Sequence, residues 1–186
     1  MFNGGWTHSS TGALPNGTTG WADTKLAASI LAYPFLAYYS RSNTNTNTDQ
    51  IDMGSKDASN TRYTWVSAWY KGSGFNNILG RNSSSTVLLN GGITTDSRGF
   101  YWINKIATTA KLGKNSTILN TATDTQTPST TAIGIGANAT ESGISNSFSN
   151  REVSTSIISD NMTDTDVNNC YTAIQTFNTT LGRQVV

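Results

Sequence analysis

Strict alternation of side chains dominates several stretches of this chain. In residues 62–70, Tyr63, Trp65, Ser67 and Trp69 fall on one side of an extended backbone, and Thr64, Val66, Ala68 and Tyr70 on the other. That is the period of a strand. Tyr33–Arg41 alternates in the same way, with Tyr33, Phe35, Ala37 and Tyr39 on one face; Pro34 lacks an amide donor, which puts the start of this strand at an edge or a bulge. Trp21–Lys25, Gln50–Gly54, Asn77–Gly80, Thr86–Leu89, Gly99–Lys105, Thr130–Gly136 and Val153–Ile158 are further strand candidates. A hairpin is expected around Gly113–Asn115. Residues 1–20, rich in Gly, Thr and Ser, read as loop with at most one short strand, and the Asn/Thr run at 43–49 as a turn. Many short strands with frequent turn signals and no helix-length crossovers predict an antiparallel sandwich or barrel.

One segment changes period. From Thr163, the apolar positions Val167, Cys170, Tyr171, Ile174, Phe177 and Leu181 repeat at three and four residues, the stripe of an amphipathic helix. Thr163 and Asp166 form a capping-box pattern, Asp164 and Asp166 suit the positive end of the dipole, and Gly182 suits a left-handed terminus. The pattern predicts a helix over about 163–181, with Val167, Tyr171, Ile174 and Phe177 packed on the sandwich and Asn178 turned to solvent.

Charged residues make up 12% of the 186 positions and the net charge is +1. Ser, Thr and Asn supply roughly two-fifths of the chain, which alone would suit disorder, but the 10% aromatic content does not. One folded domain over residues 1–186 is the expectation. The twelve cations are scattered singly, so no nucleic-acid partner is expected. No apolar run approaches the length of a membrane span, so no membrane insertion is expected either. The longest apolar stretch, Leu26–Tyr39, is interrupted by Ser29 and Pro34 and could pack against a neighbouring subunit. The start Met-Phe-Asn-Gly-Gly-Trp has neither the basic end nor the apolar core of a secretory leader.

Candidate chemistry is sparse. Gly134-Ile-Gly136-Ala-Asn-Ala139 matches the G-x-G-x-x-A form of a dinucleotide fingerprint, but the next residues, Thr-Glu-Ser-Gly-Ile-Ser-Asn, do not start a helix, so these glycines read as a close-packed strand and turn. The two glutamates, Glu141 and Glu152, do not form the carboxylate pair a glycosidase needs. Asp49 and Asp52 flank a loop but fall short of the oxygen ligands a hard cation draws. His8, the one histidine, has no nucleophile motif beside it and reads as a solvated turn residue, and Cys170 on the helix stripe reads as a buried thiol. No catalytic residue, metal or cofactor is expected. Six Asn-x-Ser/Thr sequons, at Asn16, Asn82, Asn115, Asn138, Asn161 and Asn178, are what this composition produces by chance. The aromatic residues are the remaining candidates. Tyr63, Trp65 and Trp69, with Trp102 on another strand, either fill the core, as most large aromatics do, or form a platform that stacks sugar rings.

The segment 160–185, DNMTDTDVNNCYTAIQTFNTTLGRQV, resembles the C-terminal ending of a family of bacteriophage structural proteins that carry a concanavalin A-like (laminin-G-like) lectin/glucanase-type domain. FNGGWTHS at 2–9, GALPNGT at 12–18, ADTKL at 22–26, YYSR at 38–41, DSRGFY at 96–101 and IGIGA at 133–137 resemble further family segments, in the same order. The resemblance implies an antiparallel jelly-roll β-sandwich of concanavalin A-like type with one C-terminal amphipathic helix, usually the tail of a longer fibre or virion protein. It implies a place on the virion surface, with host-cell glycans, other virion proteins or further copies of the chain as partners. Leu31–Tyr39 is more apolar here than in the family, and the Glu-x-Asp-x-x-Glu strand of the glucanase relatives is missing. Three functions are expected in turn: a non-catalytic glycan- or receptor-binding domain, a structural or oligomerisation module, and, as the third choice, a polysaccharide-degrading enzyme. Fold analogy by itself selects none of them.

Overall fold

The computed structural model describes residues 1–44, 49–71, 77–141, 143 and 147–185. Its strands are β1 (Phe2–Asn3), β2 (Trp6–His8), β3 (Ala13–Pro15), β4 (Trp21–Ala27), β5 (Pro34–Ser40), β6 (Met53–Lys56), β7 (Tyr63–Tyr70) and β8 (Asn77–Arg81). Next come β9 (Leu89–Ile93), β10 (Gly99–Ile106), β11 (Thr109–Lys114), β12 (Thr117–Thr123), β13 (Ala132–Ile135), β14 (Asn138–Ala139) and β15 (Val153–Asp160), then helix α1 (Asp164–Thr180). Two sheets form a sandwich. The first runs β1-β4-β13-β6-β7-β8-β9 with β14 added beside β6, and the second runs β12-β11-β10-β5-β15-β3-β2. Pairing is antiparallel, as expected, apart from the parallel β14–β6 contact.

The alternation seen in the sequence decides the layers. In β5, Leu36 and Tyr38 point between the sheets, where they meet Met53, Val66, Tyr101, Ile103 and Leu112. Phe35, Ala37 and Tyr39 point the other way, into a second apolar layer with Phe100 and Trp102. Helix α1 covers that layer with Val167 and Ile174, assisted by Cys170 and Tyr171. A strand buried on both faces needs apolar residues at every position. Of the apolar stretch Leu26–Tyr39, the β5 part is therefore buried within this chain, with Phe35, Ala37 and Tyr39 beneath α1, while Ile30 and Tyr33 stay exposed. Pro34 is likewise not at an edge: β5 lies between β10 and β15, and Pro34 opens it, opposite Asp160 and beyond the last β10 partner, Ile103.

The helix ends form as the sequence predicts. Thr163 Oγ1 accepts from the Asp166 amide at 3.2 Å while Asp166 Oδ2 accepts from the Thr163 amide at 3.1 Å. At the other end, Gly182 sits at φ +65°, its amide donating to the Thr179 carbonyl and the Arg183 amide to that of Asn178, the paired bonds of a Schellman motif. The packed face differs from the predicted one. Phe177 is 54% exposed and Asn178 is fully buried. The stripe Val167, Tyr171, Ile174, Asn178 advances by four, three and four residues, and Phe177 lies about a quarter-turn off it.

Strand boundaries also shift. β9 begins at Leu89 rather than Thr86, because the Ser84 hydroxyl accepts from the Thr86 amide at 3.0 Å and diverts the backbone into a turn. β6 begins at Met53 rather than Gln50, because the side chains of Gln50 and Asp52 are held in a buried polar cluster around Arg151. Residues 1–20 hold three short strands instead of at most one. The hairpin at Gly113–Asn115 forms with its turn at Asn115–Ser116, and Asn115 takes φ +55°. The run at 43–49 and the break at Gly72 fall largely outside the described residues.

Trp102 fixes one further requirement. Its indole donates to the Asn115 carbonyl at 3.0 Å, and a Cβ added to Gly113 on the paired strand would stand 2.1 Å from the ring. Gly113→Ala is expected to lower stability by about 1–3 kcal/mol through overpacking. Urea unfolding checks it, and an unchanged midpoint would show that the ring has room to move.

The buried polar cluster centres on Arg151, which has no exposed surface. Its Nε and Nη2 donate to the two oxygens of Asp52 at 2.8 and 3.0 Å, and Nη1 donates to Gln50 Oε1 at 2.8 Å. Asp52 also accepts from Ser149 Oγ and from the Ala68 amide, each at 2.6 Å. This occupation accounts for Asp52 as an ion-pair partner of Arg151. Gly136 closes the same region, at φ +81°, with its amide on the Asp52 carbonyl. Strand β14 rather than a helix succeeds it, the arrangement expected of packed glycines.

Candidate functional site

The outer face of the first sheet carries a groove of about 290 Å³ across β6, β7 and β8. Its floor is an apolar cluster separate from the core: Ile51, Trp65 and Leu79, flanked by Tyr63 and Tyr70. Tyr63 and Trp65 meet here because they alternate on β7. Tyr70 joins them through an irregularity: the β7–β8 register slips between Ser67 and Tyr70, which returns Tyr70 to the face of Trp65. The Trp65 and Tyr70 rings stack with centroids 5.6 Å apart and planes 17° from parallel. Trp65 is 4% exposed, so it supports the groove from below, while Tyr63 and Tyr70, each partly exposed, form its accessible aromatic surface.

Of the four aromatic candidates, Tyr63 and Trp65 are brought together. Trp69 is buried and lies outside the groove lining. Trp102 is on the other sheet, 1% exposed beneath α1, where it cannot form a platform with the others. Alternation could not separate these cases, because an aromatic strand face looks the same under a helix as under solvent.

Sequence reasoning missed the polar half of the groove. Arg81 lies opposite Trp65 in the β7–β8 ladder, its guanidinium 5.3 Å over the Tyr63 ring. Nη1 donates to the carbonyls of Ser84 and Ser85, which fixes the head of the side chain. Burial lowers the Arg81 pKa from its usual value, a trend the neighbouring tyrosines oppose. Burial likewise pushes the Tyr70 hydroxyl up to about 12, with the charge of Asp49, to which it hydrogen-bonds, adding to the shift. Lys56 lines the groove as a second cation. Among the described residues neither cation forms a salt bridge; the pairs that do form involve Lys25, Arg41, Arg62, Arg98, Lys105, Lys111 and Arg151. Asn138 contributes a buried side-chain oxygen with no hydrogen-bond partner. Single cations separated by fifteen or more residues leave no mark in a sequence; only the β6–β7–β8 register collects Lys56 and Arg81 around one cleft.

The remaining titratable candidates are spent on structure. Glu152 accepts from Thr11 Oγ1 at 2.6 Å and pairs with Arg41 at 3.4 Å. Glu141 accepts from Thr130 Oγ1 at 3.1 Å. Cys170 is partly buried against the second apolar layer, and burial raises its thiol pKa. Asp164 pairs with Lys111 at 2.7 Å and so ties the first turn of α1 to β11.

No protein-family model matches the chain, and no curated protein sequence does. Solved structures do match in fold. Domain 4 of AbnA, an extracellular arabinanase from Geobacillus stearothermophilus in complex with arabinotriose, aligns with a TM-score of 0.59 at 17% identity, over 89% of this chain and 81% of that one. The CBM40 domain of the Ruminococcus gnavus IT-sialidase, bound to α2,3-sialyllactose, aligns with a TM-score of 0.52 at 12% identity, over 91% and 97%. The NanB sialidase of Streptococcus pneumoniae aligns with a TM-score of 0.58 at 13% identity over 90% of this chain, which spans 27% of that protein. These likenesses establish the fold: an antiparallel jelly-roll β-sandwich with a C-terminal helix, as expected from the sequence.

Proposed function

We propose that the chain is a non-catalytic glycan-binding domain that holds a saccharide in the groove of Tyr63, Trp65, Tyr70 and Arg81. The observation that carries this reading is the pairing of a stacked aromatic surface with two cations that form no salt bridge among the described residues and a buried amide oxygen without a hydrogen-bond partner. Tyr63 and Tyr70 offer ring faces to the C–H face of a sugar. The buried Asn138 oxygen lacks a donor that a sugar hydroxyl would supply. Two neighbours of the same fold hold saccharides, arabinotriose in one and sialyllactose in the other. Among the described residues the groove lining includes no Asp or Glu, and the carboxylate beside it, Asp49, is bonded to Tyr70, whereas glycoside hydrolysis usually needs two carboxylates flanking the bond.

The charge of the groove narrows the ligand to an acidic saccharide. Arg81 and Lys56 face the cleft without a carboxylate partner among the described residues, and a carboxylate-bearing sugar would supply one. The sequence resemblance to phage structural proteins supports placing the domain on a virion surface, where host-cell glycan would be the partner.

A glycan array with the purified chain tests the reading. Acidic glycans are expected to bind more tightly than their neutral counterparts, with the preference falling as salt rises. Tyr63→Ala is expected to weaken binding about tenfold, the scale of one lost aromatic contact. Arg81→Gln is expected to erase the preference for acid, provided its unfolding curve stays near that of the native chain. Absence of binding to any array glycan, or full binding by Tyr63→Ala, would overturn the assignment.

A further inference from the structure

At one edge of the sandwich, residues 1–8 pass from the first sheet to the second. β1 hangs on β4, and β2 hangs on β3. The turn between them requires Gly4, at φ +66°, where a Cβ would stand 2.0 Å from the Thr19 carbonyl oxygen. Trp6 is tied back by its indole, which donates to the Asn3 carbonyl at 3.1 Å. The crossing gathers three rings. Phe2 stands edge-on to Trp6 and to His8, at 5.1 Å in each case, and the Trp6 and His8 planes lie within 20° of one another. His8 is exposed, as the sequence suggests, but it lies on β2 within an aromatic cluster and not in a turn. Phe2 is 59% exposed.

Behind these rings a slot of about 330 Å³ opens between the sheets. Small side chains such as Ala22 leave the space, and β15 forms a wall with Ser154 and Ser156. Ser156 is paired with Tyr38, whose ring is in the inter-sheet core, so it faces inward, and Ser154, at a register slip between Val153 and Thr155, lines the same slot. Both hydroxyls are buried without a hydrogen-bond partner. An unsatisfied buried hydroxyl is costly, and two in succession on one wall call for a ligand with matching polar groups.

We infer that this slot is a second saccharide site, distinct from the Arg81 groove, and that it takes an uncharged sugar. The sugar's C–H face lies against Phe2 and Trp6, and its hydroxyls bond to Ser154 and Ser156. An apolar ligand would leave both serines unsatisfied. A charged one would find no counter-charge apart from His8, since the lining contains no Lys, Arg, Asp or Glu. One face of the domain then reads an acidic residue and one edge a neutral residue, so a single polysaccharide with both kinds of unit could engage two sites and gain avidity.

The test is an amide and indole NMR titration of the full chain with neutral arabinotriose and neutral maltotriose at millimolar concentration. It is run on the native protein and on Tyr63→Ala, which weakens the groove. The expected result, with at least one of the two sugars, is a shift of the Trp6 indole and of the amides around Phe2, Ser154 and Ser156, retained in Tyr63→Ala. Phe2→Ala, at an exposed position, is expected to weaken that binding about tenfold, and Ser156→Val to abolish it by removing a hydroxyl and filling the slot. No shift in these signals with either sugar, shifts confined to the Tyr63 groove, or binding indifferent to Phe2→Ala would overturn the second site while leaving the groove assignment standing.

Discussion

Arg151→Met is expected to destabilise the protein by about 3–5 kcal/mol, because it leaves the Asp52 carboxylate buried without its counter-charge. The neighbours of Asp52 cannot replace the lost cation. Ser149 Oγ and the Ala68 amide already donate to it, and both are neutral. The side chain of Arg151 is wholly enclosed, and its backbone carbonyl also accepts from Tyr38 OH at 2.8 Å. Burial raises the Tyr38 pKa well above its usual value, so that phenol stays a donor. The appropriate comparison is the double variant Arg151→Met with Asp52→Asn. The amide removes the stranded charge and keeps its oxygen for the Ala68 amide, while its NH2 can donate to the Ser149 hydroxyl, so part of the lost stability should return. Urea unfolding of the three chains checks both statements. An Arg151→Met variant within about 1 kcal/mol of the native chain would mean that Asp52 finds water or protonates at little cost. The groove should respond as well, because Gln50 and Asp52, the partners of Arg151, flank Ile51 in its floor.

The strands are legible in the sequence wherever one face meets the core and the other meets something different. β7 shows this, and β5 shows its limit: its alternation is visible, but both faces are apolar, and nothing local says that a helix about 130 residues later covers one of them. The same blindness separates Trp65 from Trp102. Both lie on alternating strands, and only the docking of α1 decides that Trp102 is covered. A strict period of two puts Tyr70 on the wrong face, because it cannot register a slip inside β7. The cations of the groove are legible only as scattered charge, since Lys56 and Arg81 meet through sheet register. Residues 1–8 look like loop because strands of two and three residues are too short to show a period, although their three rings gather beside a slot.

Ile174→Ala is expected to cost about 2–5 kcal/mol, and Phe177→Ala less than roughly 1 kcal/mol, although Phe is the larger side chain. The reason is where each residue lands on α1. Ile174 is buried against Phe35, Ala37, Tyr39, Phe100 and Trp102, and its truncation opens a cavity that an apolar layer under a docked helix cannot close. Phe177 is turned outward, and its ring meets the Arg183 guanidinium at 5.8 Å, an exposed cation–π pair worth little. Asn178, one residue on, takes the inward position. Its Nδ2 donates to the Ile174 carbonyl at 2.9 Å, and its Oδ1 is buried without a partner. Asn178→Ala should therefore fall between the other two, since it loses one bond and also removes an orphaned acceptor. The helix is rich in Thr and Asn and has weak intrinsic propensity, so it depends on this docking more than on its own hydrogen bonds. Each variant is monitored by urea unfolding read through both the helical circular dichroism signal and the fluorescence of the five tryptophans, of which Trp102 lies beneath the helix. Should Phe177→Ala prove as damaging as Ile174→Ala, the helix would be rotated by about a quarter-turn from the orientation described, with Phe177 inward and Asn178 in solvent.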